Sequence, residues 1–176
     1  MAHKIKFVFA AIIAGALSAC SQPATDTNAE ATPTASTPTT QSAPTTTAKA
    51  VVTTVYEAFA VGDIAQVTSA MAPDIDWREA QGNPYADNNP YIGPDAVVSG
   101  VFMRLGGEWD GFSAVPAEYV TNGDRVVVFG NYGGTYKATG KALNVPFVHS
   151  WTVKDGKIVA FQQYTDTAQM VAVMAQ

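Results

Sequence analysis

The chain has 176 residues with ten basic and fifteen acidic side chains, and its formal net charge is −5. Nucleic-acid binding needs a positively charged stripe, and the few cations here are scattered along the chain, so we expect no nucleic-acid partner. Cys20 is the only cysteine, which excludes internal disulfides and zinc-thiolate sites.

Residues 1–20 have the pattern of an export signal. A basic start with Lys4 and Lys6 precedes an apolar run, 7–17, that is too short to span a bilayer stably. The run ends in Leu17-Ser18-Ala19-Cys20, which resembles the bacterial lipoprotein processing box and implies acyl chains on Cys20. We therefore predict a signal peptide over 1–20 and attachment to the membrane through lipid. Ser21 after the cysteine resembles a sorting signal for the outer membrane, which implies a place in the cell envelope facing the periplasm.

Residues 21–49 predict a disordered linker. From Ser21 to Ala48 the segment is almost wholly Thr, Ala, Pro, Ser, Asn and Gln, with no aromatic residue and no aliphatic residue larger than Ala. Such a composition has too little apolar surface to form a core. The foldable domain is therefore expected over 50–176, which is long enough for one core.

The first half of this domain is predicted to be helical. Apolar residues recur at helical spacing over 51–59, 64–71 and 97–105. Gly62, Pro73 and Gly106 lie where these helices should end. A short strand is expected over 75–79, followed by a loop rich in Asn, Pro and Gly.

The second half is predicted to be a meander of strands. Strands over 112–120 and 125–136 are joined by Asn122-Gly123, a strong hairpin signal, and Asp155-Gly156 joins strands over 145–153 and 158–164. The tail over 167–174 favours a short helix. Helices first and strands afterwards indicate an α+β fold, with the helices on one face of a curved antiparallel sheet.

Motifs across the domain resemble the SnoaL-like and ketosteroid isomerase-like families. They are Tyr56-Glu57-Ala58-Phe59 with Gly62-Asp63-Ile64, then Ala72-Pro73-Asp74, then Tyr91-Ile92-Gly93-Pro94-Asp95-Ala96, and finally 149–163. The resemblance implies the cone-shaped, cystatin-like roll of nuclear transport factor 2. Because this fold carries isomerases, cyclases, hydrolases and proteins without catalysis, it does not define a reaction.

The resemblance also implies site residues. Glu79 matches the carboxylate with which ketosteroid isomerases move a proton. His149 matches both their oxyanion donor and the pocket histidine of SnoaL-like cyclases. The oxyanion tyrosine of the isomerases falls on Val55, with Tyr56 on another helix face, so half of that oxyanion hole is expected to be missing. The catalytic aspartate of the cyclases falls on Gln163, with Asp166 nearby as a possible substitute.

Strand alternation supports some of these candidates. His149 shares a face with Phe147 and Trp151, which points the imidazole into an apolar interior. On the next strand Gln163 shares a face with Val159 and Phe161, which makes Gln163 the expected pocket amide. Aromatic side chains suited to lining a pocket for a flat apolar ligand are Trp77, Tyr85, Tyr91, Tyr132, Tyr136 and Trp151.

Each candidate also has a structural interpretation. Glu79 could be a solvated residue paired with Arg78, His149 a hydrogen-bonded core residue, and Gln163 an amide bonded to the sheet edge. The aromatic residues could be ordinary core.

These patterns leave three hypotheses for function. The first is cofactor-free proton transfer on an apolar carbonyl compound, with Glu79 as base, His149 as donor to the oxyanion and Gln163 as orienting amide. The second is a binding lipoprotein for an apolar ligand without catalysis. The third is a protein-interaction domain that forms a homodimer through its open sheet face. No cofactor or metal is expected in any of the three.

Overall fold

In the computed structural model, which describes residues 47–176, the chain enters its first helix at Thr47. The Thr47 hydroxyl accepts a hydrogen bond from the backbone N–H of Ala50 (3.2 Å), which caps helix α1, Ala48–Ala60. The folded domain therefore begins slightly before the predicted boundary at residue 50. The predicted signal peptide, Cys20 and the linker as far as residue 46 lie outside the described residues.

Helix α2, Ile64–Ser69, is capped as expected by Asp63, which accepts from the backbone N–H of Gln66 (2.9 Å). It ends earlier than Pro73 because strand β1 already starts at Met71 and runs to Arg78. The pairing of β1 with its neighbour is interrupted between Met71 and Asp76. Pro73 lies in this irregular stretch, so its missing N–H removes no hydrogen bond from a regular ladder.

The predicted third helix is longer than expected. After a short 3₁₀ turn, Pro84–Ala86, and strand β2, Tyr91–Ile92, helix α3 covers Pro94–Val97. A π-helical turn, Val98–Phe102, leads directly into helix α4, Met103–Glu108. Gly106 and Gly107 are expected to break the helix, but they lie inside its last turn, where glycine is unfavourable but tolerated.

Four long strands and a helix complete the domain. They are β3 (Trp109–Asn122), β4 (Arg125–Tyr136), β5 (Ala142–Lys154), β6 (Lys157–Thr165) and α5 (Thr167–Met174). The sheet order is β2-β1-β6-β5-β4-β3. The predicted α+β fold and antiparallel meander are confirmed, except that β1 pairs with β6 in parallel.

The inner face of the sheet carries the core. Along β5 alternate residues are buried, among them Phe147, His149 and Trp151, as predicted from their spacing. On β6 a register shift opposite Thr152 and Val153 brings Ile158, and not the predicted Val159, into the core beside Phe161. Within residues 47–176 no helix is both long and apolar enough to cross a membrane.

Candidate functional site

A cavity of about 60 Å³ lies between the inner face of the sheet and the helices. Its apolar lining residues are Val55, Phe59, Val67, Trp77, Val101, Phe102, Leu105, Phe112, Ala114, Trp151, Phe161 and Met170. The volume is enough for a few waters or a small organic group. Phe59, Phe112 and Ala114 are only half-buried, unlike the rest of the lining, so we place the approach to solvent beside them. A larger ligand would extend outward past these three residues.

Glu79 contributes a buried carboxyl to this cavity. The residue is only 3% exposed, and its Oε1 accepts a hydrogen bond from Trp77 Nε1 (2.8 Å). Arg78 pairs instead with Asp76, with 2.7 Å between Nε and Oδ1. The interpretation of Glu79 as a solvated partner of Arg78 is therefore wrong.

Burial governs the protonation of Glu79. It raises the pKa of the carboxyl from 4.5 to about 7, and the hydrogen bond from Trp77 and the Gln163 amide offset only part of this rise. Apart from the imidazole of His149, the residues lining the cavity carry no basic side chain. The carboxyl is therefore divided between its acid and base forms near neutral pH, which suits proton transfer.

The loop after β1 fixes Glu79 from two sides. Asn83 Nδ2 donates to Glu79 Oε2 (3.3 Å), and the Asn89 side chain bonds both the N–H (3.0 Å) and the C=O (2.8 Å) of the Glu79 backbone. The sequence did not predict either asparagine as part of the site, because asparagine is common in loops such as this one. The feature of the sequence that indicates a structural role is the position of Asn83 directly before Pro84. There the Asn83 side-chain oxygen accepts a hydrogen bond from the backbone N–H of Tyr85 (3.0 Å) and caps the 3₁₀ turn.

Gln163 lines the cavity, and its amide is hydrogen-bonded within the protein. Its Oε1 accepts from the backbone N–H of Ala80 (3.1 Å) and from Asn83 Nδ2 (2.7 Å), and its Nε2 donates to the Tyr132 hydroxyl (2.8 Å). The Ala80 N–H can only donate, so it fixes which end of the amide is oxygen. Gln163 is therefore a hydrogen-bonded link across the cavity wall, from the Glu79 loop to Tyr132.

His149 lies between two tyrosines. Its Nδ1 is 2.6 Å from the Tyr56 hydroxyl, its Nε2 is hydrogen-bonded to the Tyr132 hydroxyl, and its ring stacks on Phe147 with 4.0 Å between centroids. Burial lowers the pKa of His149 from 6.5 to about 3, so the imidazole is neutral at physiological pH. Because both nitrogens are engaged, His149 reaches a ligand in this arrangement through a tyrosine. This differs from the predicted direct donor.

The expectation that Tyr56 lies on another helix face was wrong. Both Val55 and Tyr56 are buried and line the cavity. The buried face of α1 is wide enough to hold two neighbouring positions. The phenol therefore reaches His149, and the cavity does contain a tyrosine hydroxyl supplied by α1.

The predicted aromatic residues divide into two groups. Trp77, Tyr85, Tyr132 and Trp151 line the cavity. Tyr136 does not, because it lies four residues beyond Tyr132 on β4 and packs against Trp109 (5.1 Å between centroids). Tyr91 also lies outside the lining, where its hydroxyl donates to Tyr85 O (2.6 Å).

Asp166 does not take the place of the cyclase aspartate. It caps α5 by accepting from Gln169 N (3.1 Å) and is exposed to solvent. Among residues 47–176, no three His, Cys, Asp or Glu side chains are grouped to hold a metal ion.

Comparison with known proteins supports the fold assignment. The sequence profile of the SnoaL-like domain matches residues 52–161. The chain belongs to this family. An NTF2-like protein from Burkholderia thailandensis, solved by crystallography, is 38% identical to this SnoaL-like chain, with a TM-score of 0.71 over 74% of this chain and 98% of the other. No protein with a curated description matches.

Two further structures with a similar fold were solved with small molecules. TerC, co-crystallised with polyporic acid, is 27% identical with a TM-score of 0.66, over 73% of this SnoaL-like chain and 98% of TerC. A protein of ketosteroid isomerase-like fold from Catenulispora acidiphila, in complex with trimethylamine, is 19% identical with a TM-score of 0.60, over 70% and 90% of the two chains. At that identity the second comparison shows the fold alone.

Proposed function

We propose that this SnoaL-like domain binds a small apolar carbonyl compound and transfers a proton on it without a cofactor, using Glu79 as the general base. The observation that carries the proposal is the Glu79 carboxyl, which is buried in an aromatic cavity and has a pKa of about 7. A perturbed carboxyl inside an apolar cavity is typical of an acid/base site. The co-crystallisation of TerC, which has a similar fold, with polyporic acid supports a small-molecule ligand for this protein.

The residues on the cavity wall divide the chemistry between them. The Glu79 carboxylate takes a proton from the carbon beside the carbonyl, and the carbonyl oxygen becomes an enolate oxygen. A tyrosine hydroxyl bound to His149 stabilises that oxygen, and its hydrogen bond is stronger in this apolar site than in water. For a β,γ-unsaturated ketone the enolate is a conjugated dienolate, and protonated Glu79 then returns the proton to its γ-carbon, which completes an isomerisation to the α,β-unsaturated ketone. His149 and Gln163 act as positioning residues in this scheme.

The experiment that tests the proposal follows hydrogen exchange. The purified protein is incubated in D₂O with cyclic and aryl ketones, and deuterium uptake beside the carbonyl is measured by NMR. Glu79→Gln should lower the exchange rate on the order of 10² to 10⁴-fold, the usual contribution of a general base. The matched control is Asp76→Asn, which removes an exposed carboxylate of the same region and should leave the rate unchanged. Equal rates for Glu79→Gln and the unmodified protein would contradict the proposal.

The second candidate is a binding lipoprotein without catalysis. It is favoured by the observation that every buried polar side-chain atom in the described part of the chain already has a hydrogen-bond partner. In that case ligands should raise the melting temperature of both the unmodified protein and Glu79→Gln, with no deuterium uptake in either.

We also propose that the protein is held at the outer membrane by acyl chains on Cys20, facing the periplasm. The sequence pattern around Cys20 is the support for this. Radiolabelled palmitate should be incorporated into the protein in cells, and Cys20→Ala should abolish both the label and sedimentation with membranes. Incorporation that persists in Cys20→Ala would contradict lipid attachment at this residue.

A homodimer through the outer sheet face is a further proposal. Val115, Phe129 and Tyr164 lie on this face with 59%, 41% and 57% of their surface exposed. Sedimentation equilibrium should show a dimer that Phe129→Glu dissociates. A monomer at all concentrations would contradict the proposal.

A further inference from the structure

The polar groups lining the cavity form one continuous hydrogen-bonded chain. It begins at the backbone N–H of Ala80 and passes through Gln163, Tyr132 and His149 to Tyr56. Each member is buried. Because hydrogen bonds in a chain polarise one another, the direction of donation decides which end offers a hydrogen to a ligand.

The first two steps have a fixed direction. The Ala80 N–H donates to Gln163 Oε1, so the other end of that amide is the NH₂ group. This NH₂ donates to the Tyr132 oxygen at 2.8 Å. Tyr132 is therefore already an acceptor from the Gln163 side, and its own hydrogen is available for its other neighbour, His149.

The neutral imidazole limits the remaining steps. It has one N–H and one bare nitrogen, so it donates to one tyrosine and accepts from the other. The tyrosine that accepts from His149 keeps its own hydrogen, and within residues 47–176 no other acceptor binds that hydroxyl. One phenol hydrogen, on either Tyr56 or Tyr132, therefore has no acceptor within the described residues.

The competing donors decide which tyrosine keeps the free hydrogen. Gln163 donates to Tyr132 at 2.8 Å, whereas the other donor to Tyr56, Trp151 Nε1, is 3.4 Å away. If His149 also donated to Tyr132, two strong donors would meet at that oxygen. Donation from Tyr132 to Nε2 avoids this conflict and leaves the hydrogen on Nδ1, which faces Tyr56.

We propose that this chain runs one way from Ala80 to Tyr56, holds His149 as the Nδ1–H tautomer, and ends in a Tyr56 hydroxyl hydrogen that no acceptor within residues 47–176 takes. The ligand therefore presents an acceptor oxygen, such as a carbonyl, to Tyr56. The ligand part of this inference rests on the proposed function, whereas the tautomer is a property of the unliganded protein.

The tautomer is tested on ¹⁵N-labelled full-length protein in which His3, the other histidine, is replaced by Asn. Two-bond ¹H–¹⁵N spectra at neutral pH should show a protonated Nδ1 and a bare Nε2 at His149. Gln163→Leu removes the donor to Tyr132 and should shift a measurable fraction to the Nε2–H form. A dominant Nε2–H form in the unmodified protein overturns the inference, and so does a Gln163→Leu spectrum that is unchanged.

The ligand part is tested with two compounds of the same shape, cyclohexanone and methylenecyclohexane, in NMR titrations. The unmodified protein should bind the ketone more tightly by about three- to tenfold, the usual value of one neutral hydrogen bond. Tyr56→Phe should abolish this preference, whereas Tyr119→Phe, whose ring contacts Tyr56 but does not line the cavity, should keep it. Binding of neither compound, or a preference that survives Tyr56→Phe, overturns the assignment of Tyr56 as donor.

These outcomes are separable from the fate of the proposed catalysis. The protein could show the Nδ1–H tautomer and a Tyr56-dependent preference for the ketone but no deuterium exchange. That result would contradict only the proposed role of Glu79 as a base and would leave the inference about the hydrogen-bonded chain in place.

Discussion

Two groups of polar side chains near the end of β1 differ in almost every physical respect. The outer pair, Asp76 and Arg78, consists of opposite charges whose side chains are 39% and 49% exposed. The inner cluster, which comprises Glu79, Asn83, Gln163 and His149, is buried and contains no permanent cation. In the outer pair the charges are compensated by each other and by water. In the inner cluster burial favours the neutral forms of both Glu79 and His149.

The separation follows from the alternation of the strand. Asp76 and Arg78 point to one side of β1 and Trp77 to the other, and Glu79 continues the inward parity just after the strand ends. A separation of three residues along the chain, from Asp76 to Glu79, thus decides whether a carboxyl is solvated or becomes a candidate base. Burial, and not residue type, distinguishes the two carboxyls.

The largest expected effect is on the pH dependence of stability in Glu79→Gln. In this variant His149 is the group of the inner cluster that still titrates. His149 titrates at about 6.5 unfolded and about 3 folded, so its contribution to stability is complete above pH 6.5 and is lost as the pH falls. The contribution of Glu79 to stability changes in the opposite direction. It is complete below pH 4.5 and is lost as the pH rises to about 7. Urea denaturation should show nearly constant stability of the unmodified protein from pH 4.5 to 6.5, and a rise of roughly 2 to 3 kcal/mol for Glu79→Gln. Stability that changes with pH in the same way in the unmodified protein and in Glu79→Gln would contradict the opposing titrations of Glu79 and His149.

The next effect is the stability of Glu79→Gln at pH 8. There the unmodified protein carries an ionised Glu79 in the inner cluster, at a cost on the order of 3 kcal/mol. The substitution removes this cost but loses the hydrogen bond from Asn83, about 1 kcal/mol. Glu79→Gln should therefore be more stable by about 2 kcal/mol at pH 8 in urea denaturation. If Glu79→Gln were less stable than the unmodified protein at pH 8, the ionised Glu79 carboxylate would not destabilise the folded state.

Asn83→Ala should be destabilising by about 1 to 2 kcal/mol, because Glu79 and Gln163 each lose a buried donor. It should also raise the pKa of Glu79 above about 7, since a donor to the charged form is lost. Chemical denaturation gives the first quantity and carboxyl NMR the second. Asn88→Ala, in the same loop, is the matched control.

The smallest effect is expected in the outer pair. Asp76→Asn should change the free energy of unfolding by less than about 1 kcal/mol, and high salt should shrink even that difference, because exposed ion pairs contribute little. The measurement is urea denaturation at low and high ionic strength. A loss of several kcal/mol would show that the outer pair is as tightly coupled to the core as the inner cluster.

The sequence predicted those parts of the site that depend on local periodicity. His149 and Gln163 are buried because each lies on the inward parity of a long strand. For Glu79 the sequence supports two interpretations, because alternation is a weak guide at the end of a strand. The prediction for Tyr56 is wrong because the buried face of α1 is wide enough to include both Val55 and Tyr56.

The remaining features depend on contacts between distant segments. The parallel pairing of β1 with β6 joins residues far apart in sequence, and nothing in either strand encodes its partner. Asn83 becomes part of the site only because Gln163, eighty residues later, lies beside it. A loop asparagine of this kind looks in the sequence like any turn residue.

The most direct test of the inner cluster is the titration of Glu79 itself. Side-chain ¹³C carboxyl shifts are followed from pH 3 to 9, and the Glu79 signal is assigned by its absence in Glu79→Gln. Burial in an aromatic cavity predicts a midpoint near pH 7. A midpoint at or below 4.5, the ordinary value for glutamic acid, would contradict the role of Glu79 as a base that operates near neutral pH.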